Sequence, residues 1–337
     1  MRRDWRMGHL EGTKVTSEFR GRDKVVVGVL SRENRKTGFM EKQIRKTHRN
    51  GEWGTAIPRL TNWVAKRSNR FLRWALEVVA GIHKRAHLPI FAKQTLTKQM
   101  AAYAAKPNRY APAVGRKVVL YATCFGNYNK PEIGWATRAV LEKNGVEVKV
   151  AYPGCCGMPQ LETGDIAAVA ESAIQVVADL IAWADRGYDV IALTSSCALM
   201  LKFEWPLLLP RDENVQRLAK VTSDVSEYVV DIARNEGLAE GLGPLQQGVM
   251  LHLACHARAQ NMGPKAAEML KLIPKLEVTA IERCSGHGGA WGIEKGHFEV
   301  AMKVGKPVAK KAKALNAVWV ASECPLAADH IVQGVGE

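Results

Sequence analysis

From residue 116 onward, apolar and polar positions follow two alternating periods. Val118-Val-Leu-Tyr-Ala-Thr-Cys124 is a short apolar, β-branched run that ends in cysteine, and Val146-Glu-Val-Lys-Val150 alternates as a strand does. Between them Pro131 to Lys143 is spaced as a helix, with proline in its first turn and Gly145 just past its end. A longer helix is predicted with Ile166, Val169, Ala173, Val177, Leu180, Ile181 and Ala184 on one face and Gly187 as its stop. Asp189 to Thr194 is a third strand and runs into Ser195-Ser-Cys197. The order then repeats. Val249 to Cys255 is strand then cysteine, Lys265 to Leu272 helix, Leu276 to Ile281 strand, Phe298 to Lys311 helix, and Ala317 to Ala321 strand before Ser322-Glu-Cys324. Gly305 and Pro307 are expected to break or bend the last helix.

The two halves are in register. Cys124 to Cys255 is 131 residues, Cys155 to Cys284 is 129, and Cys197 to Cys324 is 127. Strand–helix–strand–helix–strand, twice, predicts an α/β chain of two tandem duplicated Rossmann-like units with parallel sheets and right-handed crossovers. The expected divisions are a basic, poorly ordered arm at 1–55, an amphipathic helix and linker at 56–115, a first unit at 116–210, a connecting segment at 211–247 and a second unit at 248–335.

Charge separates the N-terminal part from the rest. The chain of 337 residues has a net charge of +15, but residues 1–120 carry +19 and the remainder −4. A solvated arm is the plain reading of residues 1–55; an anionic membrane surface or an acidic partner subunit are sharper ones, and nucleic acid comes last because no nucleic-acid motif accompanies the charge. Over 58–80, Leu60, Trp63, Val64, Phe71, Trp74, Val78 and Val79 recur at helical steps with Lys66, Arg67, Arg70 and Arg73 between them. Such a helix can lie on anionic lipid, or dock its aromatic face on the body of the chain, which is the commoner arrangement. Hydrophobic residues at 47% and charged residues at 24% exclude disordered, collagen-like and multi-span membrane classes. No secretory signal is visible at the start, so a cytoplasmic location is expected, with peripheral attachment to the cytoplasmic face of a membrane as the variant. There, seven cysteines point to thiolates for metal or redox chemistry rather than to disulfides.

All seven follow a predicted strand. In parallel sheets the C-terminal strand ends share one edge, where ligands bind. The first unit delivers Cys124, Cys155, Cys156 and Cys197 to that rim, and the second delivers Cys255, Cys284 and Cys324. Four thiolates suit an iron–sulfur cluster or a tetrahedral zinc. The adjacent pair Cys155-Cys156 is awkward for one small ion, whereas a cluster offers separate iron corners. Ser285 stands where the second unit would need its fourth cysteine; His287 and His256 are candidate replacements, His252 less so because it lies within the strand. Arg258 and Arg283 are candidates for offsetting cluster charge.

Gly154-Cys-Cys-Gly157 and Cys284-Ser-Gly-His-Gly-Gly289, with Ser196-Cys-Ala-Leu-Met-Leu-Lys-Phe-Glu-Trp-Pro206, His252-Leu-Ala-Cys-His-Ala-Arg258 and Cys324-Pro-Leu-Ala327, resemble the cysteine-rich CCG domain. That domain occurs in heterodisulfide reductase B subunits, glycolate oxidase iron–sulfur subunits and anaerobic glycerol-3-phosphate dehydrogenase C subunits. The likeness covers about residues 55–335. It implies an iron–sulfur electron-transfer subunit rather than a complete enzyme, with one cluster, of [4Fe–4S] type, in the first unit; the second unit either holds another, through three thiolates, or has lost its metal and kept only the fold. The implied partners are a flavoprotein dehydrogenase or a ferredoxin-like subunit, with electrons passing to a quinone or another carrier, and a possible peripheral membrane contact through the basic N-terminal region. Two features depart from the family pattern. No cysteine precedes Cys124, so no ferredoxin-like module is visible, and Met200 and Ala327 occupy the places of the fifth cysteines of heterodisulfide reductase. No general base, nucleotide-binding glycine loop or flavin motif stands out. The competing readings are a zinc-binding scaffold of the same fold and a thiol/disulfide reductase.

Overall fold

The computed structural model describes residues 38–246, 248–315 and 319–336. Among these, seven strands form two parallel sheets. β1 (Lys117–Tyr121), β2 (Glu147–Ala151), β3 (Asp189–Ala192) and β4 (Thr222–Asp224) are ordered β2-β1-β3-β4. β5 (Gly248–His252), β6 (Glu277–Ile281) and β7 (Trp319–Ser322) are ordered β6-β5-β7. The second order copies the first three strands of the first, as the duplication requires.

The pleat explains why β1 and β3 read as unbroken apolar runs. Val119, Tyr121, Val190 and Ala192 face one way and pack with Val169, Ala173, Val176 and Leu180 of the helix Ile166–Ala184. Val118, Leu120 and Ile191 face the other way and pack with Leu141 and with Tyr228 and Ile232. Both faces are covered, so no position alternates to solvent. The helix Ile166–Ala184 has the length and apolar composition of a membrane span, yet Val169, Ala173, Val176, Val177, Leu180 and Ile181 are buried in this core. The second unit has smaller cores, with Met250 against Val308, Ala312 and Ile331 on one face and Leu251 against Ala266 and Ala267 on the other.

Several expectations need correction. Residues 1–37 of the expected arm lie outside the described residues, but the rest of it is folded: Phe39–Ile44 and Thr47–Ala56 are helices. Gly51 lets the second of these lie directly on Tyr128, since a Cβ there would stand 2.2 Å from its ring. Hydrophobic periodicity could not reveal this contact, which is made through a glycine. The segment 56–115 is more than a linker, because Leu96 and Met100 complete one face of the first core. The single helix expected over 58–80 is two, Pro58–Ala65 and Arg70–Ala80, the second capped by Asn69, whose side chain accepts from the Leu72 N–H. The connecting segment 211–247 contributes β4, whose three residues are too few and too polar to show a period. The helix Phe298–Leu315 runs on through Pro307 instead of ending near it.

Candidate functional site

In the first unit β1 ends at Tyr121, and Thr123 turns the chain into a short helix that begins with Cys124. Thr123 has φ +59°, a costly value for a β-branched residue, held by its hydroxyl accepting from the Gly126 N–H at 3.2 Å. After β2, the Tyr121 hydroxyl donates to Gly154 O at 2.7 Å and the buried Trp205 indole donates to Cys156 O at 3.0 Å. These two bonds fasten the loop carrying Cys155 and Cys156 to the core. Cys197 sits in the helix Ser195–Leu199 that follows β3.

The four thiols form a contiguous row. Cys124 contacts Cys155, Cys155 contacts Cys156, and the Cys156 and Cys197 sulfurs lie 3.2 Å apart. Cys156 and Cys197 are buried, while Cys124 and Cys155 are partly exposed. The Thr47 hydroxyl covers the outer pair, 3.5 Å from Cys124 Sγ and 3.4 Å from Cys155 Sγ. The Tyr152 hydroxyl donates to Cys124 Sγ at 3.1 Å, and His48 Nδ1 lies 3.0 Å from that hydroxyl and 3.1 Å from the hydroxyl of Tyr128. The Gly157 N–H points to Cys155 Sγ at 3.5 Å.

These contacts divide the protons unequally. Hydrogen bonds from the Cys124 and Cys156 thiols, helped by Thr47 and the Gly157 amide, hold Cys155 well below the ordinary thiol range. Cys124 is pushed up first by its bond to Cys155 and then by burial, and Cys156 by its bonds to Cys155 and Cys197 and then by burial. Cys155 is therefore the thiol of the row that gives up its proton most readily, with its neighbours as donors.

The second unit repeats the pattern in a more open form. Cys255 begins the helix Cys255–Ala259 after β5 and is exposed, as is Cys284; Cys324, after β7, is partly exposed. The Gly286 N–H points to Cys284 Sγ at 3.4 Å, matching Gly157 and Cys155 in the first unit. Gly157 and Gly286 share φ +81°, a left-handed conformation suited to glycine. A hydrogen bond from Cys255 lowers Cys284 to about 6, with the Gly286 amide assisting, while Cys255 is raised.

The histidine candidates do not join these thiols. His287 is buried with Nε2 unpartnered, its ring 6.1 Å from that of His330, and no hydrogen bond joins His287 or His256 to Cys255, Cys284 or Cys324 among the described residues. Burial lowers His287 to about 3 and lowers His256 as well. His252 is a structural tie, with Nδ1 2.9 Å from Ser322 Oγ and Nε2 2.8 Å from Arg283 O. Arg258 pairs with Glu282.

The C-terminal edges of the two sheets meet. Gln260 donates to Ser195 O at 3.2 Å and to Asp224 at 3.4 Å, Ser195 Oγ donates to Glu323 O at 3.2 Å, and the Ala254 N–H donates to the Glu323 carboxyl at 3.1 Å. Sequence reasoning missed Thr47, His48, Tyr152 and Glu323 as neighbours of the thiols. Tyr152 and Glu323 carried a signal, since each directly follows a strand of the cysteine-bearing rim.

A family model described as cysteine-rich domain, CCG, matches residues 118–202 and 249–326, one match in each unit. The C subunit of the anaerobic glycerol-3-phosphate dehydrogenase of Escherichia coli K12 is 27% identical over 262 residues, covering 75% of this chain and 63% of that protein. The B subunit of the fumarate reductase (CoM/CoB) of Methanothermobacter marburgensis is 30% identical over 226 residues, 64% of this chain and 42% of that protein. Lactate utilization protein A of Geobacillus kaustophilus is 30% identical over 198 residues, 55% of this chain and 78% of that protein. The chain thus spans less than two thirds of the first two relatives' own length.

Proposed function

The chain belongs to the cysteine-rich CCG domain family, and from that premise we propose that it is the iron–sulfur electron-transfer subunit of an oxidoreductase. The observation that carries this reading is the row Cys124–Cys155–Cys156–Cys197 at the ends of three parallel strands, with the Gly157 N–H directed at Cys155 Sγ. Cys124, Cys155, Cys156 and Cys197 would hold a [4Fe–4S] cluster, and Cys255, Cys284 and Cys324 a second one. A bound cluster supplies one-electron chemistry. The chain's own residues set the surroundings: Tyr152, Thr47 and the Gly157 amide donate toward sulfur, and the wall behind Cys156 excludes water.

Two of the relatives bear the names of dehydrogenase and reductase subunits, which supports a flavoprotein dehydrogenase or a ferredoxin-like subunit as electron donor and a quinone or other carrier as acceptor. The zinc reading is less well supported. Among the described residues no three Cys, His, Asp or Glu side chains are arranged as ligands of a single metal ion, and the adjacent pair Cys155-Cys156 suits separate iron corners better than one small centre.

The test is anaerobic purification with iron and acid-labile sulfide quantification and EPR. Wild type is expected to be brown, with equal iron and sulfide and a signal on reduction, and Cys155→Ser is expected to lose the first cluster. Colourless protein with stoichiometric zinc would overturn the proposal.

A further inference from the structure

We propose that the helices Pro58–Ala65 and Arg70–Ala80 form a docking surface for an anionic lipid bilayer. This goes beyond the electron-transfer reading and does not depend on it. The aromatic face of these helices points outward. Phe71 is 70% exposed, Val79 68%, Val78 60%, Trp74 55%, Trp63 54% and Leu60 53%. The opposite face is charged and buried: Arg73 and Glu77 lie inside, one turn apart. The Arg73 guanidinium donates to the carbonyls of Ala86 at 2.7 Å, His83 at 2.9 Å and Lys84 at 3.1 Å. Rolling the helix to hide its aromatic residues would strip three carbonyls of a charged donor, so the outward orientation is built in.

The charge around this face argues for an anionic occupant. Residues 56–100 contain nine Lys or Arg and a single acidic residue, Glu77, which is buried. Arg59, Lys66 and Arg70 are exposed beside the apolar positions. A second copy would bring the same positive charge against itself. An anionic bilayer satisfies both features, taking the apolar side chains below its headgroups and the basic ones among them, where tryptophan is also favoured. Helices of 8 and 11 residues are too short to span a bilayer and long enough to lie along its surface.

The test is sedimentation of the full chain with vesicles of phosphatidylcholine alone and of phosphatidylcholine mixed with phosphatidylglycerol. Binding to the anionic vesicles is expected to be at least about tenfold tighter, and the double variant Trp74→Glu, Val78→Glu to weaken it by more than about tenfold, since these side chains would otherwise be buried in lipid. Both positions are outside the core, and an unchanged melting curve checks that the variant folds. Brominated lipid should quench tryptophan emission in wild type and do so less in Trp63→Phe, Trp74→Phe. Failure to bind anionic vesicles overturns the proposal. So does binding that the Glu variant leaves intact and salt abolishes, which would assign attachment to residues 1–37. A dimer that the Glu variant dissolves would assign the face to a second copy. Iron and sulfide content of the same preparations reports on the electron-carrier reading separately.

Discussion

Gly157 and Gly286 do the same work in the two units and differ in what surrounds them. Each holds a left-handed turn so that its N–H meets the sulfur two residues earlier. A Cβ at Gly157 would approach Val169 Cα at 3.3 Å, whereas at Gly286 it would stand 2.1 Å from the carbonyl oxygen of Ala301. Gly157→Ala is therefore expected to cost about 1–2 kcal/mol from backbone strain. Gly286→Ala, which meets a backbone atom that cannot move aside, is expected to cost more than about 4 kcal/mol and to unfold the second unit; urea titration measures both. Glu323 gives a pH signature. Burial, and then the Asp224 carboxylate, push it from 4.5 to about 7 against the opposing Ala254 N–H. Between those two pH values the folded chain holds a proton that the unfolded chain has released, so this group makes stability fall as pH rises toward 7. Glu323→Gln keeps an acceptor for Ala254 and removes that slope. Its melting temperature should exceed that of wild type at pH 8, with a gain of about 1 kcal/mol after allowing for partial exposure, and match it near pH 4. An equal gain at both pH values would contradict the assignment.

The helix Arg70–Ala80 shows how a buried cation organises an element. Its polar face is turned inward because Arg73 finds three carbonyls in the 83–86 turn, and the Lys295 and His83 amides then join this turn to the second unit through Gly81 O at 2.7 Å and Ile293 O at 2.8 Å. Arg73→Leu leaves those carbonyls without their donor and is expected to destabilise by about 3 kcal/mol, with hydrogen exchange accelerating first in residues 83–86. Exchange that rises evenly across the chain would argue against a local clamp. Other elements show where periodicity succeeds and fails. Ile166–Ala184 was legible because nineteen residues repeat one apolar face. β4 was not, since three residues hold no period, and Phe298–Leu315 passes Pro307 because tertiary packing of Val308, Ala309 and Ala312 holds the turn that proline weakens.

In the molecule as a whole, the segment before the first strand joins both units. Arg45 pairs with Glu294 of the second unit at 2.8 Å while its carbonyl accepts from Gln160 of the first at 3.1 Å. Two residues on, Thr47 covers Cys124 and Cys155. If a cluster occupies the row, Thr47→Val removes one hydroxyl donor at nearly constant volume. The reduction potential is then expected to become more negative by some tens of millivolts, 59 mV being about one tenfold change for one electron. Redox-titrated EPR at constant iron content checks the shift, and an unchanged potential would mean that Thr47 only fills space.

Strand positions, the duplicated order and the arrival of all seven thiols at strand ends are written into the local pattern. Each depends on neighbours within a few residues and on the rule that parallel strands share an edge. Three things waited for the folded chain. Thr47 reaches the thiols across 77 and 108 residues, a distance no spacing encodes. His287 and His256 make no hydrogen bond to the sulfurs among the described residues, and His287 is buried 6.1 Å from the ring of His330, a placement made by packing. Finally, the helices over 58–80 have an apolar and a basic side that anyone can count, but which side meets the body was settled by three carbonyls waiting for Arg73, because hydrogen bonds to a buried cation outweigh the burial of a few aromatic rings.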